Sequence, residues 1–128
     1  MHDILIVEDD EQIRRALTRA LAAEGYTVAS ASNGKEALEN LERGAAAPKV
    51  IIMDLMMPVM DGWRFRKKLL SQPQWADVPV IVLSGFGCDE TEGGELPSVH
   101  YVTKPVSLRS LFDSIARLIA AAPAARLN

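Results

Sequence analysis

Five short apolar runs constrain this chain most. They occupy residues 4–7, 26–29, 50–53, 78–83 and 99–102, and none alternates with polar residues. A strand with one wet face alternates; an unbroken run of this length fits a strand covered on both faces. The stretches between the runs carry apolar residues at helical spacing instead. Ile13, Leu17, Ala20 and Leu21 form one such stripe, and Ala37, Leu38 and Leu41 a second. Asn33 is placed to cap the second helix, with Glu36 three residues on as in a capping box, and Gly44 ends it. Asp61 is placed to cap a third helix bearing Phe65, Leu69 and Leu70. Ser107 is placed to cap a last one bearing Leu108, Leu111, Phe112, Ile115, Leu118 and Ile119. Strands alternating with helices predict an α/β fold with a parallel sheet and helices on both faces, joined by right-handed crossovers.

One unit breaks the pattern. Residues 85–97 contain four glycines and a proline with almost no apolar stripe, which predicts a fourth helix that is short, irregular or absent. The Ala-rich end with Pro123 reads as a fraying helix end or linker stub. The chain therefore divides into one domain over residues 1–121 and a tail over 122–128.

Length and composition suit a single globular domain: 128 residues, 48% hydrophobic and 24% charged. A net charge of −3 argues against a nucleic-acid surface, and the apolar runs are too short to span a membrane. Strand-like sequence begins by about Asp3, which leaves no room for a signal peptide. With one cysteine, Cys88, no internal disulfide forms, and a cytoplasmic location is expected. Cys88 has no adjacent base, and His2 and His100 belong to no ligand pattern, so these read as structural or exposed.

Polar residues collect where the runs end. Glu8, Asp9 and Asp10 follow the first run, Asp54 the third, Ser84 the fourth, and Lys104 comes just after the fifth. In a doubly wound sheet, sites form outside the carboxyl ends of the strands, so the fold itself predicts that these residues converge. Carboxylates sharing a pocket repel one another, and a hard cation relieves the cost. Magnesium takes oxygen ligands: Asp9 and Asp54 directly, Glu8 directly or through water, and a backbone carbonyl just after Asp54, best placed at Met56. An aspartate can also attack phosphorus to give an acyl phosphate, a transfer that needs positioning and charge neutralisation above all. Lys104 would meet a phosphoryl oxygen, and Ser84 would supply a small donor with room beside it at Gly85. Taken singly, Asp54 reads as a helix cap, Ser84 as a turn residue and Lys104 as a solvated lysine. Asp10 reads as a helix N-terminal charge. Their joint order, each after its own strand, points to a site.

These segments closely resemble the receiver domain of two-component response regulators. The matching pieces are Ile6-Val7-Glu8-Asp9-Asp10, Met53-Asp54-Leu55-Met56-Met57-Pro58 with Asp61-Gly62, Val82-Leu83-Ser84-Gly85, and Tyr101-Val102-Thr103-Lys104-Pro105. The resemblance spans essentially the whole chain. It implies a flavodoxin-like (βα)5 three-layer sandwich with sheet order 2-1-3-4-5. It implies Asp54 as phospho-acceptor, Glu8 and Asp9 as the pair holding Mg2+, and Met56 as a carbonyl ligand. Ser84 and Lys104 would contact the phosphoryl group, and Tyr101 would be the aromatic switch. The implied partners are a histidine kinase or histidine phosphotransfer protein upstream and a protein target downstream. Glu8 replaces the commoner Asp, and Ser84 the commoner Thr. The Gly-rich segment falls where the family usually presents part of its output face.

Two rival functions differ in class. A magnesium-dependent phosphohydrolase would use Asp54 as nucleophile, but dehalogenase-like enzymes place a second Asp two residues later, where this chain has Met56, and no cap domain is present. The chain is therefore expected not to be an enzyme beyond its own phosphorylation and dephosphorylation. A phosphorylation-independent receiver-like module is disfavoured by the intact acidic pair, Asp54, Ser84 and Lys104. A receiver fragment of a larger transcription factor or hybrid kinase is a further possibility.

Overall fold

The computed structural model describes residues 3–44, 47–54, 62–84, 99–103 and 107–126. Five parallel strands, β1 (Ile4–Val7), β2 (Val28–Ala31), β3 (Val50–Asp54), β4 (Val80–Ser84) and β5 (Val99–Thr103), lie in the order β2-β1-β3-β4-β5. The expected 2-1-3-4-5 order is thus the one found. Helices α1 (Glu11–Ala23), α2 (Gly34–Arg43), α3 (Gly62–Leu70), α4 (Pro73–Ala76) and α5 (Leu108–Arg126) complete the described elements. Among the described residues, no helix is long and apolar enough to cross a membrane.

The unbroken runs have a direct structural cause. Successive strand residues point to opposite faces, and here both faces are covered. Leu5, Val7, Ile51, Met53, Val80 and Val82 belong to one buried cluster with Ala37, Leu41, Phe65, Leu69 and Trp75 of α2, α3 and α4. Ile4, Ile6, Val50, Ile52, Ile81 and Leu83 belong to the other, with Leu17 and Leu21 of α1 and Leu111 and Ile115 of α5.

Local chemistry sets the element ends. Asp10 caps α1, its Oδ1 accepting from the amides of Gln12 (2.9 Å) and Ile13 (3.1 Å). Asn33 caps α2 through the Glu36 amide (2.8 Å). The return half of the expected capping box goes elsewhere: the Glu36 carboxylate accepts from the Ser32 amide (3.3 Å) and hydroxyl (2.9 Å). Ser107 precedes α5 and accepts from the Ser110 amide at its Oγ (3.4 Å). The proposed cap Asp61 and the irregular fourth-helix segment lie outside the described residues.

The structure departs from the sequence reading at several helix and strand ends. The run at 26–29 begins too early, since β2 starts at Val28, paired with Ile4. Tyr26 instead closes α1: its amide donates to Leu21 O (3.2 Å), and the Gly25 amide to Ala22 O (3.0 Å), with Gly25 at φ 97. This is a Schellman ending, which needs a left-handed residue and so selects glycine. Gly44 ends α2 as expected, with φ −77 in extended backbone. Leu70 and Leu108, assigned to apolar helix faces, are 41% and 45% exposed. Finally, α4 was not anticipated; Pro73 starts it in the first turn and Trp75 plugs into the cluster beneath.

The amino end of the sheet is pinned by Asp3. Its Oδ2 accepts from the Thr27 amide (3.0 Å), and its Oδ1 lies 3.4 Å from Lys49 Nζ. The Thr27 amide bond is the main cause, with Lys49 adding to it, that holds this carboxyl below its usual range against partial desolvation. A carboxyl whose native pKa is depressed contributes stability above its ordinary value and loses it as pH falls through the lowered one. Asp3→Asn is expected to flatten the acid limb of the stability curve, read by urea unfolding at stepped pH. An unchanged slope would remove Asp3 as its source.

Candidate functional site

Strand register alone brings the candidate residues to one edge. Val7 pairs with Met53, so Glu8 and Asp54 emerge level at the carboxyl ends of β1 and β3. The Glu8 amide continues the ladder with β2 by donating to Ala31 O (3.0 Å). Asp54 pairs with Leu83, which puts Ser84 one residue beyond, and Ser84 pairs with Thr103 at the end of β5. Thr103, the last residue of β5, thus lies at the same end of the sheet.

Glu8, Asp9 and Asp54 meet there. Each offers one carboxylate oxygen, and the three oxygens lie within 4.8 Å of one another. Glu8 is 1% exposed and Asp54 8%, whereas Asp9 faces solvent. Glu8 Oε2 also accepts from the Asp10 amide (3.2 Å). Asp10 is turned away to cap α1, in keeping with its reading as a helix-terminus charge.

Two nearly buried carboxylates and a third at the surface, this close together, repel one another, and a bound cation relieves that repulsion. Water screens the pair poorly once it is excluded. An all-oxygen donor set of this charge and spacing suits a hard divalent cation, which would keep waters on its open side where Asp9 is exposed. The residues present therefore fit magnesium. The backbones of Ser84 and Tyr101 are described, within β4 and β5. The roles expected of their side chains, and those of Met56 and Lys104, lie outside the described residues.

One contributor was not anticipated. Arg14 Nη1 donates to the carbonyl of Glu8 (2.9 Å), tying α1 to the loop that bears the acidic pair. A helical arginine four residues past the cap gives no sign in sequence that it reaches backward to a loop carbonyl. The direction follows from helix geometry, in which side chains lean toward the N-terminus.

Comparison with known proteins agrees with this fold. A family model described as the response regulator receiver domain matches residues 4–116. A probable transcriptional regulator, ycf27, of Porphyra purpurea is 39% identical over 110 residues, covering 84% of this chain and 43% of the relative. The chain thus spans about half the length of the curated relatives it matches first. Among solved structures, it is similar to the signal receiver domain of a histidine kinase from Syntrophus aciditrophicus. That match has 30% identity and TM-score 0.83, covering 96% of this chain and 93% of the other. It is also similar to the receiver domain of a sensor histidine kinase from Pseudomonas aeruginosa, with 26% identity, TM-score 0.82, and coverage of 94% and 98%. In that structure a magnesium ion is coordinated in the active-site cleft.

Proposed function

Since the chain belongs to the family of response regulator receiver domains, the phosphorylatable switches of two-component signalling, we propose that Asp54 is its phosphoryl acceptor and that Glu8, Asp9 and Asp54 hold Mg2+ beside it. The observation that carries this reading is the three-carboxylate group at the carboxyl edge of the sheet, with Asp54 as the last residue of β3.

The Asp54 carboxylate forms a bond to phosphorus as the phosphorus–nitrogen bond of a donor phosphohistidine breaks. The electron pair stays with the departing imidazole nitrogen, which takes up a proton. Magnesium, when bound, supplies charge neutralisation at the phosphoryl oxygens. The Met56 carbonyl would complete the protein's share of the ligands. Ser84 donates a hydroxyl hydrogen bond to the new phosphate, and Lys104 places an ammonium against another oxygen. The register supports the role of Ser84, which follows Leu83, the partner of Asp54, on the neighbouring strand; in sequence Lys104 follows Thr103, the partner of Ser84. As Ser84 moves toward the phosphoryl group, Tyr101 turns inward from strand β5, so a local charge event changes a surface. The chain acts as a switch and catalyses only its own phosphorylation and dephosphorylation. The donor is a histidine kinase or histidine phosphotransfer protein in the cytoplasm, and the output is contact with a protein target.

Intact-mass measurement after incubation with acetyl phosphate tests this. Wild type is expected to gain one phosphoryl group with Mg2+ and none after chelation. No gain after rapid quenching, together with no binding of beryllofluoride in the presence of Mg2+, would refute it.

A further inference from the structure

Glu8 is held from three sides. Its amide donates to Ala31 O of β2, its Oε2 accepts from the Asp10 amide, and its carbonyl accepts from Arg14 Nη1. The first two bonds fix the strand end and the Glu8 side chain. The third fixes the peptide plane that joins Glu8 to Asp9, because a peptide unit is planar and orienting its carbonyl orients the whole group. That plane sets where Asp9 departs from the backbone.

Asp9 is the member of the carboxylate group with the least support of its own. It is exposed, and among the described residues no hydrogen bond is found to its carboxylate. Its approach to Glu8 and Asp54 is therefore left to the backbone. Arg14 is well placed to control that backbone. Its amide donates to the cap residue's carbonyl, Asp10 O (2.9 Å), and its own carbonyl accepts from Thr18 Oγ1 (2.7 Å), so the side chain springs from a fixed turn. The neighbouring Arg15 is used differently, pairing in solvent with Glu11 (2.8 Å).

We propose that Arg14 is a positioning residue for the metal site: its hydrogen bond to the Glu8 carbonyl orients the Glu8–Asp9 peptide and so holds the Asp9 carboxylate within ligand distance of Glu8 and Asp54. The proposal rests on the reading of those three carboxylates as a magnesium site. It has a sign that a pure charge effect does not share. A guanidinium near a cation site opposes cation binding, so if charge alone mattered, its removal would tighten Mg2+. If positioning matters, removal weakens it.

The test is calorimetric titration of Mg2+ into metal-free wild type, Arg14→Gln, Arg14→Met and Arg15→Gln, with amide spectra of each protein before metal is added. Both Arg14 variants are expected to bind Mg2+ about tenfold more weakly, the low end for partners one shell out from a metal. Their Asp9 and Asp10 amide resonances are expected to shift in the metal-free state, and Arg15→Gln to match wild type. Unchanged or tighter binding in folded Arg14→Gln and Arg14→Met would overturn the proposal. Wild type that takes up no Mg2+ would instead overturn the metal-site reading beneath it.

Discussion

Asp54→Asn is expected to abolish the phosphoryl gain completely while making the metal-free protein more stable. The two effects have one origin. The amide has nearly the shape of the carboxylate but carries neither its charge nor its nucleophilic oxygen, so no acyl phosphate forms. The same lost charge relieves the repulsion among three carboxylates whose oxygens lie within 4.8 Å. With an effective dielectric of about 20, unit charges at such spacings repel by a few kcal/mol, and after the amide's own desolvation a gain of about 1–2 kcal/mol is expected. Magnesium should reverse the ranking. A ligand at free concentration L that binds only the folded state stabilises it by RT ln(1 + L/Kd), and wild type keeps the full donor set while the variant does not. Urea unfolding of both proteins, with and without Mg2+, therefore should show the stability gap shrinking or changing sign as metal is added. A variant that still gains a magnesium-dependent phosphoryl group would place the acceptor elsewhere. A metal-free variant weaker than wild type would mean that Asp54's other interactions outweigh the repulsion.

The sheet and the acidic edge could both be read from the chain because each depends on a repeating physical requirement. Burial on two faces leaves unbroken apolar runs, as at Ile4-Leu5-Ile6-Val7, and parallel strands must present their carboxyl ends together. Given those rules, Glu8 and Asp54 had to emerge side by side. What was misread depends on single side chains and short-range geometry. Tyr26 is apolar and next to a strand, so it looked like strand; its amide closes α1 instead, because Gly25 takes the left-handed turn. A one-turn helix such as α4 has too few residues for any periodicity to register, and only Pro73 and Trp75 marked it. Leu70 and Leu108 sit at helix ends, where an apolar stripe runs out before the element does. Arg66, a charged residue of α3, is buried, and the loss of solvent lowers its pKa. Arg14 is the most consequential of these. Its contact is with a backbone carbonyl, and a carbonyl leaves no mark in sequence.

Phe65→Ala is expected to cost about 3–5 kcal/mol, the range for deleting a fully buried aromatic ring whose cavity only partly collapses. Phe65 is completely buried on α3, a helix of nine residues, and shares its cluster with Leu41 of α2, Leu69 of α3, Trp75 of α4 and Val78 just before β4. Among the described residues, Phe65 and Leu69 are the members of that cluster from α3, so the substitution removes one of the two described anchors of the helix on the sheet. Set against a total of about 5–15 kcal/mol for an ordinary domain, the loss leaves the variant marginal. The site should feel this only through the folded fraction. Glu8 and Asp54 are carried by β1 and β3, whose apolar residues are shared between both clusters, and the α1/α5 cluster is untouched by the change. Urea unfolding should therefore show a midpoint far below wild type with a similar slope, while phosphoryl transfer from acetyl phosphate at low temperature persists in the folded molecules. A cost under about 1 kcal/mol would mean that Trp75 moves into the cavity and fills it. Transfer lost in a demonstrably folded variant would mean that α3 helps to set the acceptor's geometry as well as the stability of the core.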